Sequence, residues 1–70
     1  MVVNMRTTIT GREVSDNWVF YGIMAERVSN ITGAKIYHND KGIAIVMLPV
    51  KDLCIYTGRI VRNGYKIMIN

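Results

Sequence analysis

The sequence predicts an α+β domain, with one helix packed on a small antiparallel sheet in the order β-α-β-β-β-β. Three observations carry this. The dipeptide Asn63-Gly64 separates residues 59–62 from residues 65–69, and Asn-Gly accepts the positive φ that a type I′ hairpin needs at both central positions. Asn39-Asp40-Lys41-Gly42 separates residues 35–38 from 43–48 in the same manner, with Gly42 supplying a left-handed residue. Between residues 16 and 31, Phe20, Met24, Val28 and Ile31 recur at helical spacing.

The elements follow in order. Residues 1–10 are rich in β-branched side chains and read as a strand that ends at Gly11. Ser15-Asp16-Asn17 offers capping side chains for a helix over residues 16–31, which Gly33 closes as a left-handed residue. A rival reading makes residues 7–14 and 18–24 a hairpin around Ser15-Asp16-Asn17, because Trp18-Val19-Phe20-Tyr21 has strand composition. That reading turns the fold into a small all-β barrel. Residues 35–38 and 43–48 form the next hairpin, and Pro49 stops it because proline cannot donate to a ladder. Residues 53–62 read as a long strand rather than a helix, since Ile55, Thr57, Ile60, Val61 and an internal Gly58 disfavour helix. The Asn-Gly turn pairs Arg62 with Tyr65 and Ile60 with Ile67. Its register gathers Cys54, Tyr56, Ile60, Tyr65, Ile67 and Ile69 on one face, with Thr57, Arg59, Lys66 and Asn70 on the other.

Seventy residues form a single domain, residues 1–70, with half of them apolar. One cysteine cannot form an internal disulfide, and one Cys with one His cannot build a structural zinc site. A chain this small gains from self-association, so a homo-oligomer is expected. The lone thiol, the absence of a signal-peptide pattern and the shortness of the apolar run at residues 43–50 point to the cytoplasm rather than a membrane.

Function is read from surfaces. Residues 43–48 are apolar on both sides of a strand, which needs cover on both faces. One helix covers only one. Ala44, Val46 and Leu48, or else their alternating partners Ile43, Ile45 and Met47, joined by Val61 and Met68 on the outer side of the last hairpin, are therefore the expected self-association or partner surface. The net charge of +4 concentrates at the ends, with Arg6 and Arg12 at one and Arg59, Arg62 and Lys66 at the other. If the end strands lie side by side, these five residues form a basic surface for nucleic acid or an acidic partner. Tyr56 and Tyr65 lie on the opposite face in the predicted register, which weakens a base-stacking role.

No catalytic or metal-binding set emerges, and no cofactor is implied. His38 lies two residues from Asp40 without further ligands, Cys54 reads as a small buried hydrophobe, and no phosphate-cradling glycine loop is present. The expected protein is a small non-catalytic binding or regulatory module that acts through protein contacts. The alternative is a nucleic-acid-binding module. A short, Ile- and Asn-rich chain of this kind suits an accessory protein of a phage or mobile element.

Overall fold

A computed structural model describes residues 6–69. The first half of the predicted N-terminal strand, residues 1–5, and Asn70 lie outside the described residues. Strand β1 (Thr7–Thr10) passes through Gly11 into β2 (Arg12–Val14), and β3 (Asn17–Tyr21) leads to helix α1 (Ile23–Thr32). Then come β4 (Tyr37–His38), β5 (Ala44–Pro49), helix α2 (Val50–Thr57) and β6 (Lys66–Ile69). The α+β class and its antiparallel pairing are as expected. The strands make two sheets, a β1-β6 pair and a four-stranded sheet ordered β2-β3-β5-β4, and neither closes into a barrel.

The expected helix and its rival hairpin divide residues 12–32 between them. Ser15 and Asp16 both have positive φ, 50° and 63°, and form a two-residue turn that pairs Val14 with Asn17. The predicted capping residues therefore make a hairpin turn, of the twist that two-residue hairpins favour. Trp18, Val19 and Phe20 are buried in β3, which lies between β2 and β5. Gly22, at φ 62°, turns the chain into α1. Ala25 and Val28 carry the helix's buried face, and Gly33 ends it in the left-handed conformation, its N–H donating to Ser29 O at 2.8 Å.

The hairpin of β4 and β5 forms as predicted. Tyr37 pairs with Ile45 and His38 with Ala44. Asn39 Oδ1 accepts from the Lys41 and Ile43 N–H groups, both at 2.9 Å, and Gly42 holds φ 79°.

The predicted strand at residues 53–62 is the main correction. Residues 50–57 are helical, and Gly58, at φ 77°, is the residue that terminates the helix rather than an interior one. Val50 and Leu53 lie three positions apart and are both buried. Burial of that pair outweighs the strand preference of Ile55 and Thr57, which tertiary context overrides. No hairpin forms at Asn63-Gly64: Asn63 has positive φ, but Gly64 does not. Residues 66–69 do alternate as predicted, Ile67 and Ile69 inward and Lys66 and Met68 outward. Their partner is β1, in the register Thr7 to Ile69 and Thr10 to Lys66.

The core brings together Trp18, Phe20, Ile9, Val28, Val46, Leu53, Ile67 and Ile69 with smaller neighbours. Trp18 and Phe20, two apart on one face of β3, stack with ring centroids 6.1 Å apart. Gly11 is the hinge between the sheets. A Cβ there would meet the Phe20 ring at 2.5 Å and the Val19 carbonyl oxygen at 2.9 Å. The missing side chain lets the strand bend over that ring.

Gly11→Ala is expected to destabilise the fold by roughly 1–3 kcal/mol through overpacking, read as a lower urea midpoint. Ser15→Asn is expected to raise that midpoint by a few tenths of a kcal/mol, because Asn tolerates positive φ better than Ser.

Candidate functional site

The four-stranded sheet is covered on one face only. Along β5, Ala44, Val46 and Leu48 point inward and are 7%, 0% and 8% exposed. The helices and Ile9, Ile67 and Ile69 share this side. These three residues are the first of the two association sets expected from the sequence, and the fold itself buries them. Their alternating partners take that place. Ile43 and Met47 are exposed, Ile45 is half-buried, and register aligns them with Tyr21 on β3 and Tyr37 on β4. Val14 on β2 and Val19 on β3 complete the row. Tyr21, Tyr37 and Met47 are 57%, 57% and 54% exposed, so this part of the outer face is apolar surface without a covering layer, while Val19 beside Arg12 is closed over at 5% exposed.

Val61 and Met68 do not belong to this surface. Val61 packs against the core, and its carbonyl accepts the Trp18 indole N–H at 2.8 Å. Met68 is exposed on the β1-β6 pair, beside Thr8.

The β2 end of the outer face deepens into a groove of about 460 Å³, with Val19 and Gly11 among its lining and Arg12, Val14, Tyr21 and Tyr65 around it. Arg12 Nη2 donates to Tyr65 Oη at 2.8 Å, and its guanidinium carbon lies 5.4 Å from the Tyr65 ring centroid. That is a cation–π contact. The sequence placed Tyr65 on an apolar inner face. The structure turns it outward, because residue 65 lies before β6 and not in a hairpin.

The expected basic surface is only partly assembled. The terminal strands do lie side by side as β1 and β6, but the five cations have different surroundings. Arg62 Nη1 donates to Glu13 Oε2 and to Asp16 Oδ1, each at 2.6 Å. Those two carboxylates raise its pKa above the ordinary arginine value. The guanidinium therefore stays protonated until strongly alkaline pH, and the pairing holds wherever both carboxylates are ionised. Asn63 N–H also donates to Glu13 Oε1, at 3.3 Å, so Glu13 holds two consecutive loop residues. Arg59 lies in the loop after α2 and is not on a strand beside Lys66. Arg6 lies at the mouth of β1, beside Arg27 and Asn30 of α1.

His38 is exposed at the outer edge of the sheet. Cys54 is half-buried on α2, its thiol donating to Lys51 O at 2.8 Å. Among the described residues no three His, Cys, Asp or Glu side chains gather as a metal site. No helix there is long and apolar enough to cross a membrane.

Fold and surface together define a small α+β domain with one uncovered apolar sheet face and a cation at its grooved end. Compared with protein-family models, curated proteins and solved structures, the chain matches none.

Glu13→Gln is expected to speed amide hydrogen exchange at Asn63 and its loop neighbours while leaving the β4-β5 hairpin protected. Equal protection in both proteins would show that Glu13 does not hold the loop.

Proposed function

We propose that this protein is a non-catalytic binding module that acts through protein–protein contacts made by the outer face of its four-stranded sheet. The observation that carries the reading is the exposure of Tyr21, Tyr37 and Met47 on one side of a sheet whose other side is fully packed. Docking of a partner removes apolar area of this kind from water, which favours the complex. Self-association is the form in which the partner is a second copy, and the cytoplasm suits the single free thiol. A nucleic-acid role has less support. Arg62 is taken up by two carboxylates, Arg12 stands beside an apolar and aromatic groove, and Arg6, Arg59 and Lys66 lie before β1, after α2 and on β6, so the five cations do not line one groove.

Met47→Lys places a charge in the middle of the outer face without touching the core. The wild-type chain is expected to associate at tens of micromolar in sedimentation, or to retain a specific protein from an extract of its source cells. The variant is expected to lose both at unchanged circular dichroism. If the wild type stays monomeric and retains nothing that the variant loses, the reading fails. Binding to single- or double-stranded nucleic acid is expected to be absent even at low salt, where phosphate contacts are strongest.

A further inference from the structure

The groove at the β2 end of the outer face is the most specific feature of this surface. Its volume, about 460 Å³, falls within the roughly 300–1,000 Å³ range of sites that hold a small ligand, which is room for more than one side chain. The Val19 floor and the Tyr21 and Tyr65 walls are apolar or aromatic, and Arg12 is the one charged residue among its lining.

Among the described residues no carboxylate pairs with Arg12. A guanidinium has five N–H donors in a planar fork, and Arg12 directs one toward Tyr65 Oη. Tyr65 thus orients the cation at the groove while leaving donors free for a bidentate carboxylate. We infer that this groove docks an acidic, apolar segment of a partner protein. Apolar side chains of that segment occupy the groove between Tyr21 and Tyr65, and a neighbouring carboxylate pairs with Arg12.

This rests on the binding-module reading and names its partner's chemistry. Continuity supports a protein segment, since the groove opens onto the apolar row of Val19 and Met47. Charge decides against a second copy. The chain carries +4, and Glu13 and Asp16, the acids closest to Arg12 in sequence, are held by Arg62. The remaining acids, Glu26, Asp40 and Asp52, lie on α1, at the β4-β5 tip and on α2. A second copy therefore has no carboxylate on a strand of its own outer face to offer.

The test is a titration of the isotope-labelled full chain, followed by amide chemical shifts. The probe is a synthetic peptide of alternating Leu and Asp, with a Leu/Lys peptide and a Ser/Asp peptide as controls. The Leu/Asp peptide is expected to saturate shifts centred on Gly11, Arg12, Val19 and Tyr65, and both controls are expected to leave them unmoved. Arg12→Glu is expected to weaken that binding at least about tenfold and to gain binding of the Leu/Lys peptide, the signature of a direct charge pair. Tyr65→Phe keeps the ring but removes the orienting hydroxyl, and is expected to weaken binding less than Arg12→Glu.

Equal binding of the Leu/Asp and Ser/Asp peptides, or insensitivity to Arg12→Glu in a folded variant, would overturn the inference. So would no response to the Leu/Asp peptide, or groove shifts that depend on protein concentration alone, which would identify a second copy as the occupant. If the peptide result is negative while Met47→Lys still abolishes association or capture, the binding-module reading stands and only the partner's chemistry fails.

Discussion

A fully buried tryptophan needs an acceptor for its indole N–H, and much of this fold is arranged to supply one. Trp18 is the largest completely buried side chain. Leaving its donor unpaired would cost about 1–3 kcal/mol. The acceptor is the Val61 carbonyl, 43 positions along the chain, in a segment without regular structure. Once Val61 is fixed, its neighbours fall within reach of the β2-β3 turn. Arg62 reaches Glu13 and Asp16, and Asn63 reaches Glu13. Tyr65 O then accepts the Gly11 N–H at 2.7 Å, and β6 enters its place beside β1.

What was legible in the sequence was local. The β4-β5 hairpin, the left-handed end of α1 at Gly33 and the in-out alternation of residues 66–69 each depend on residues within a few positions of one another. The failures were nonlocal. Asn63-Gly64 has the residues of a hairpin turn, yet β6 finds its partner at the other end of the chain, and no local signal encodes that. Ser15-Asp16 makes a two-residue turn, as the rival hairpin reading of residues 7–14 and 18–24 had it, and the preferred helix from residue 16 gave way because β3 lies centrally to bury Trp18 and Phe20. Residues 50–57 carry β-branched side chains, but Val50 and Leu53 reach the core from a helix, and Gly58 marked its end rather than arguing against it.

The site was half legible for a related reason. A strand apolar on both faces announces that one face needs cover from elsewhere. It does not say which face the helices will take. That choice follows from β3, where Trp18 and Phe20 select the side shared with Ala44, Val46 and Leu48. The outer row of Tyr21, Ile45 and Met47 is what remains. Charge was harder to read, because a sequence counts cations without showing their partners. Arg62 and Arg12 look equivalent in composition. One is held by two carboxylates and the other rests on a tyrosine.

The bend at Gly11 has a consequence for the order of assembly. The β2-β3 and β4-β5 hairpins join residues close in sequence, and such contacts form early at low entropic cost. Pairing β1 with β6 joins Thr7 to Ile69, nearly the whole chain apart, so it closes the largest loop in the molecule. The groove draws residues from both sides of that closure, Gly11 and Arg12 from the early part and Tyr65 from the late part. A chain with the terminal pair undone could keep its four-stranded sheet, but it would lack one wall of the groove. Any occupant of the groove therefore acts as a clasp across the final closure, and its binding energy opposes fraying of the two chain ends.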